Sequence, residues 1–250
     1  MTAVVLGHAP FAFVVLPFVP APDLASLPYL LAGILLHVGY QLFLLYSYRT
    51  GDLTQVYPIA RGAAPLIVTL TSIVFLGVSL RPIELLAVAT IGVGIISMSL
   101  IRQDNGARNL RAAGMALGTG CFIAGYSLVD GLGARVAGTA LGYYGWLTIG
   151  NGIVFTLYVL HTRPGVLAEL PRLARRTFLI GGTASSLAYA LVTWAFTQAP
   201  IALVTALREV SVVFALIIGV AFLKEKVGVG KVVSVLLALS GAILLRFAND

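Results

Sequence analysis

Charge is scarce in this chain. Lys and Arg number 16, and Asp and Glu only 9, together 10% of 250 residues. A soluble domain carries about 25% charged residues, so water is not this protein's main solvent. Cysteine is nearly absent: Cys121 stands alone in an apolar run, which rules out an intramolecular disulfide and leaves the redox compartment unmarked. The N-terminus lacks a basic stretch, so 1–20 reads as a membrane helix and not as a cleaved signal. Walker motifs, HExxH pairs, paired-cysteine clusters and nucleophile elbows are also missing, so neither an ATP-driven pump nor a familiar membrane hydrolase is supported. No enzyme activity and no cofactor are expected. With His37 the lone histidine deep in its span, no metal site is expected either.

What is present is apolar. Hydrophobic residues make up 59% of the chain, and the mean hydropathy is +1.01. Long apolar runs recur from end to end, which selects an all-α integral membrane protein with the lipid bilayer as its surroundings. The alternating segments of roughly 10 residues that a β-barrel would need do not occur. The net charge of +7 marks loops and not a nucleic-acid partner.

Apolar runs punctuated by Gly, Pro and charge give nine candidate spans: 2–20, 28–48, 53–77, 82–101, 111–134, 139–161, 177–198, 201–223 and 228–247. The first is interrupted by His8, Pro10 and Pro17. The longest polar connections are 102–111 and 161–177, and the former divides the chain into 1–101, a loop 102–110 and 111–250. The two parts match. At an offset of 147, Arg61 falls on Arg208, Phe75-Leu76 on Phe222-Leu223 and Gly94 on Gly241; two residues further, Gly33 falls on Gly182 and Tyr40 on Tyr189. Corresponding spans lie an odd number of helices apart, so they cross in opposite directions. That is an inverted repeat, which secondary transporters often use. The span 111–134 has no counterpart, so the expected architecture is five plus five minus one, with one N-terminal helix missing from this chain.

Loop charges test the alternation. One face receives eleven cations (Arg49; Arg102, Arg108, Arg111; Arg163, Arg172, Arg175, Arg176; Lys224, Lys226, Lys231) and the other three (Arg81, Arg135, Arg246). The positive-inside rule then puts Met1 in the cytoplasm and Asp250 outside.

Two arginines remain inside apolar spans, Arg61 and Arg208. A guanidinium in hydrocarbon is expensive and marks function by default. Arg61 lies roughly 10–12 Å from the nearer membrane face at 1.5 Å per residue, and Arg208 matches it from the opposite face. Guanidinium forks bind carboxylates and phosphates, so an anionic group on a small-molecule substrate is the first expectation. The alternative is a structural arginine paired with a carboxylate or with helix carbonyls. Thr54 and Tyr57 share a stripe with Arg61, in a helix that Pro58 and Pro65 should kink. Thr205 and Ser211 form the equivalent stripe with Arg208. Tyr40 and Gln41 on the second span, and Tyr189 and Trp194 on the seventh, complete an expected cavity lining; each taken singly also suits helix packing. Glu209, Asp130 and His37 are the proton-coupling candidates. Asp130 reads otherwise as a cap or interfacial pair near a helix end, and His37 as a hydrogen-bonded helix contact. Glycine pairs at 114 and 118, 138 and 142, and 92 and 94 imply close backbone approach.

The run Tyr48-Arg-Thr-Gly51-Asp-Leu-Thr-Gln-Val-Tyr57-Pro58-Ile-Ala-Arg61-Gly, with Phe75-Leu-Gly77 beyond it, resembles the first half of an EamA-like protein of the drug/metabolite transporter superfamily. Phe196-Thr-Gln-Ala-Pro200 leading to Phe222-Leu-Lys-Glu225-Lys resembles the second half, while Val78 stands where the first half of family members carries glutamate. The resemblance implies ten helices as an inverted five-plus-five repeat moving small metabolites. It also implies a C-terminus drawn in the cytoplasm, opposite to the side the loop charges give.

The expected function is secondary transport of a small anionic or zwitterionic metabolite across the plasma (bacterial inner) membrane by a multi-pass protein, with monomer and homodimer both open. One alternative is an exporter of hydrophobic or cationic compounds, recognised by Tyr143, Tyr144, Trp146 and Trp194. Another is a non-transporting scaffold or a subunit of a hetero-complex.

Overall fold

The computed structural model describes residues 1–51, 53–76, 81–100, 110–208, 211–224 and 228–247. Gly77, Val78, Arg102, Arg108, Glu209, Glu225 and Lys226 lie outside the described residues, as do the side chains of Thr54, Lys231 and Arg246. The described chain is all helical: α1 (Thr2–Leu6), α2 (Ala9–Val15), α3 (Leu27–Thr50), α4 (Leu53–Leu76), α5 (Pro82–Leu100), α6 (Leu110–Val136), α7 (Ala140–Thr162), α8 (Gly165–Leu173), α9 (Gly182–Gln198), α10 (Ile201–Leu207), α11 (Ser211–Ala221) and α12 (Val229–Phe247). Helix or helix fragments occupy each of the nine apolar runs. Among the described residues, four stretches are long and apolar enough to cross a membrane: Leu24–Thr50, Val56–Phe75, Leu110–Val136 and Thr177–Gln198. This is a multi-pass membrane protein, because in hydrocarbon only internally bonded helices can carry so much apolar chain.

Two departures from an unbroken helix follow from sequence. The first run divides at Gly7 and His8 into α1 and α2, and a 3-10 turn at Leu16–Phe18 follows where Pro17 cannot continue the ladder. The polar connection at 161–177 holds α8, none of whose residues is buried, and α9 is entered through a π-helical turn, Thr177–Gly181.

The chain separates into two compact units, one of Met1–Gln41 with Leu128–Pro200, the other of Leu42–Ser127 with Ile201–Asp250. Each unit draws chain from both sides of the 102–110 connection.

In the first unit, α2 lies along α7, with Leu16 against Gly145 and the Phe11 and Tyr144 rings 6.1 Å apart. The core gathers Ile34, Ala134, Ala137, Tyr143 and Leu147, with Tyr29, Leu30 and Tyr189 packed on it. Gly33 brings α3 against Asp130 and Leu147, while Gly182 brings α9 onto Gly7 at the α1–α2 junction. The end of α9 is capped from α6: Arg135 donates to the carbonyls of Phe196 and Ala199, each at 2.8 Å. Unbonded carbonyls at a helix end favour such a cation. Asp130, read from sequence as a proton-coupling candidate or as a cap or interfacial pair near a helix end, pairs with His37 at 2.7 Å. It is fully buried at 0% exposure within α6, because α6 runs on past it to Val136.

In the second unit, α5 and α12 pack antiparallel through two glycines. A Cβ on Gly94 would lie 2.6 Å from the Ala238 nitrogen and 2.9 Å from the Ser234 carbonyl. A Cβ on Gly241 would lie 2.7 Å from the Ala87 carbonyl and 2.8 Å from the Ile91 nitrogen. The contact is reciprocal, since 87 and 91 are 234 and 238 moved back by the repeat offset. Ser97 donates to Ser234 at 2.9 Å, and Leu244 packs on Ala87. Gly120 lets α6 approach Ala60 and Ala63 on α4, and Gly118 lets it approach Phe43.

Spacing alone did not tell which glycines serve approach. Gly94, Gly118 and Gly142 do, whereas a Cβ on Gly92, Gly114 or Gly138 would meet nothing within 4 Å. Gly138 instead turns the chain between α6 and α7 at φ +68°, a conformation that side chains disfavour.

Candidate functional site

The second unit holds both arginines in contact. Arg61 on α4 reaches the segment between α10 and α11, where its Nη2 donates to the backbone carbonyl of Arg208 and to Ser211 Oγ, each at 3.1 Å. Ser211 Oγ in turn donates to the Arg208 carbonyl at 2.7 Å and accepts from the Tyr57 hydroxyl at 3.0 Å. The Arg208 side chain turns to α6, donating to Ser127 Oγ at 3.3 Å and to the Tyr126 hydroxyl at 3.2 Å. Each guanidinium also stands 5.8 Å from a tyrosine ring centroid, Arg61 over Tyr57 and Arg208 over Tyr126. Such cation–π placement offsets part of the cost of taking the charge out of water. Pro65 removes the amide that would otherwise bond the Arg61 carbonyl, so α4 carries weakened backbone bonding beside its charged residue. Tyr126 and Ser127 were not expected from the sequence. They belong to the apolar run without a repeat counterpart, and no internal matching could find them.

The first unit holds a second polar cluster, centred on Asp130. Its Oδ2 lies 2.7 Å from His37 Nε2 and accepts from the Tyr189 hydroxyl at 2.7 Å; its Oδ1 accepts from the Tyr143 hydroxyl at 3.3 Å. Four helices, α3, α6, α7 and α9, thus supply one group each. The His37 and Tyr189 rings meet edge to face at 5.2 Å. Beyond them the Tyr144 ring lies 5.9 Å from that of Tyr189, tilted by 54°, and its hydroxyl is shared with Ser186 at 2.8 Å and His8 Nδ1 at 3.4 Å. Gly33 leaves no room for a side chain over Asp130: a Cβ there would sit 2.5 Å from Oδ1.

The remaining expected residues are dispersed. Thr205 is buried and donates to its own helix at the Ile201 carbonyl, 2.7 Å away, which makes it a packing residue here. Gln41 is buried, with no partner for Oε1 among the described residues. Tyr40 is half-buried. Trp194 exposes 53% of its surface and Trp146 49%, while Tyr143 and Tyr144 are closed off at 0% and 1%. The four aromatics proposed to recognise hydrophobic cations therefore form no single lining.

Residues 110–247, more than half of the chain, match the family model for the EamA-like transporter family. This chain belongs to the EamA-like transporter family. Members of that family are membrane transporters and generally not enzymes, which places small-molecule passage through a bilayer, rather than catalysis, at the centre of this EamA-like chain's chemistry. A solved structure described as "Crystal structure of protein" matches 100% of this chain and 88% of its own, with a TM-score of 0.68 and 15% identity. At that identity the likeness shows the fold alone. No curated protein matches the EamA-like chain closely enough to count as a relative. Both polar clusters draw on the family-matched segment, through Ser127, Arg208 and Ser211 in one and Asp130, Tyr143 and Tyr189 in the other.

Proposed function

We propose that this chain is a secondary transporter of a small anionic or zwitterionic metabolite in the plasma membrane of a bacterial cell, working by alternating access between two inverted halves, 1–101 and 111–250. The carrying observation is the 3.1 Å hydrogen bond from Arg61 to the Arg208 carbonyl. It joins the two positions that the repeat offset equates; the Arg61 guanidinium there meets Ser211, which the Tyr57 hydroxyl also bonds, and the Arg208 guanidinium meets the hydroxyls of Tyr126 and Ser127. Guanidinium and hydroxyl donors suit a carboxylate or phosphate, and a site built from matching positions of two halves is what an inverted-repeat transporter needs. The reciprocal Gly94 and Gly241 contact supports the repeat. So does the exchange of partners by Gly33, which meets α7, and Gly182, which meets the α1–α2 junction, the two spans that the repeat pairs.

A second reading has a specific observation behind it. Arg61 spends one amino group on a backbone carbonyl and a serine, so it can act as a latch holding α4 to the α10–α11 segment. Ligand stabilisation separates the two. Purified protein in detergent is screened with carboxylates, amino acids, phosphonates, sugars and lipophilic cations, as wild type, Arg61→Gln and Arg208→Gln. An anionic ligand that stabilises wild type and fails on a folded Arg61→Gln supports the substrate site. Stabilisation by cations alone, unchanged in both variants, makes the arginines latches and favours the exporter of hydrophobic or cationic compounds. Failure of every compound to bind or cross favours a scaffold or hetero-complex subunit.

A further inference from the structure

We propose that Asp130 and His37 form one proton-binding site in the first unit, through which proton movement is coupled to transport; the coupling, though not the proton site, rests on the transporter reading above. A carboxylate with no exposed surface requires compensating charge, because an uncompensated ion in a low-dielectric interior is heavily penalised. Among the described residues, the groups facing Asp130 are His37 from α3, Tyr143 from α7 and Tyr189 from α9. Tyr144 and His8 stand behind Tyr189, and Tyr29 packs on the same core as Tyr143. On α6 itself Arg135 is committed to the end of α9. Of these neighbours the phenols are neutral donors, and only the imidazole can carry the balancing charge, by holding a proton.

Three features make the pair a proton site rather than a static contact. The group that can balance the carboxylate is a histidine, the side chain that changes charge under physiological conditions. Both histidine and tyrosine bond the same oxygen, Oδ2, so a change at His37 alters the bond from Tyr189 directly. Each donor comes from a different helix, so removing the proton leaves an uncompensated carboxylate buried where α3, α6, α7 and α9 meet. That is the differential stabilisation of two states which coupling requires. A metal is the weaker occupant, because no group of three or more His, Cys, Asp or Glu comes together among the described residues. The chemistry balances simply. A proton from one aqueous phase adds to the His37–Asp130 pair, forming one N–H or O–H bond, and the same bond breaks to release it to the other phase.

The proton site is tested without any substrate. Full-length protein carrying nitrogen-15 histidine is placed in lipid nanodiscs and followed by NMR as the buffer is moved between acid and base. The expected result is a protonation change at His37 that moves to a different pH in Asp130→Asn and in Tyr189→Phe. A His37 signal that titrates identically in wild type and Asp130→Asn, or that never titrates while the protein stays folded, overturns the site. Tyr189→Phe keeps the carboxylate and serves if Asp130→Asn does not fold. Coupling is tested in proteoliposomes with a pH gradient and a mixture of radiolabelled amino acids as the probe. Wild type should accumulate label above equilibrium, and Asp130→Asn should lose accumulation while still exchanging label across the bilayer. Accumulation by Asp130→Asn equal to wild type overturns coupling. Absence of flux and exchange in wild type counts against the transporter reading, and the proton site then stands or falls on the NMR result.

Discussion

Replacing Gly94 by alanine should weaken the seam between α5 and α12, and its near neighbour Gly92 supplies the control. A methyl on Gly94 would lie 2.6 Å from the backbone nitrogen of Ala238. Ordinary contact lies at roughly 3.5–4.0 Å, so α12 has to retreat by about 1 Å, which forfeits a quarter to a half of the dispersion energy along that seam. Backbone cannot yield as a side-chain end can, and overpacking of this kind costs about 1–3 kcal/mol. Alanine returns about 0.8–1.0 kcal/mol in helix propensity. A methyl on Gly92 meets nothing within 4 Å and collects only that gain. The stabilities of Gly92→Ala and Gly94→Ala should therefore differ by about 1–3 kcal/mol, the propensity gain cancelling between them. One retreat of α12 also makes room for a methyl on Gly241, because that contact is the reciprocal one. Gly94→Ala and Gly241→Ala combined should cost less than their sum, by about 0.5 kcal/mol or more. Reversible unfolding in mixed detergent micelles measures wild type, the three single variants and the double variant. Equal stability of the two single variants at positions 92 and 94, or full additivity of the 94 and 241 pair, would refute the reasoning.

Three other substitutions test the first unit. Tyr144→Phe removes the hydroxyl shared with Ser186 and His8 and leaves the fully buried Ser186 Oγ without it; thermal denaturation should show a loss of about 1–3 kcal/mol, and an unchanged midpoint counts against that network. Arg135→Gln gives up the guanidinium that caps Phe196 and Ala199, so amides in the last turn of α9 should exchange with solvent faster, by about tenfold or more for a loss near 1.4 kcal/mol. Gly33→Ala would drive a methyl to 2.5 Å from Asp130 Oδ1 and 3.0 Å from Leu147 Cδ1; the displaced carboxylate should alter the His37 NMR signal as Asp130→Asn does, and an unaltered signal means the packing over Asp130 is looser than described.

Apolar length made the helices legible, because a run such as 28–48 leaves the chain no other means of bonding its backbone in lipid. It made α8 illegible: Val166, Leu167, Leu170 and Leu173 alternate with Glu169 and Arg172, so a nine-residue amphipathic helix reads as a polar connection. The meeting of Arg61 and Arg208 was foreshadowed by the repeat offset. The partners Tyr126 and Ser127 were not, since their helix has no copy. The surroundings of Asp130 were not legible, because its position near Gly131 and Gly133 suggests a helix end, while its three partners come from 93, 13 and 59 residues away. One signal was present: an apolar span with a single carboxylate needs a partner, and His37 shares a helical face with Gly33, the residue that gives way to Asp130.

The bond between Arg61 and Arg208 has an asymmetry of contribution. Arg61 brings a side chain, whereas Arg208 brings a peptide oxygen that any residue at that position would offer. Two positions that the repeat offset equates thus divide their labour between what the genetic code can rewrite and what it cannot. Drift at 208 can redraw the contacts with α6 and still leave the carbonyl waiting for Arg61, while drift at 61 removes the donor itself. A comparison of variants reads only replaceable atoms, so it will weigh the two arginines unequally even where they hold the same bond.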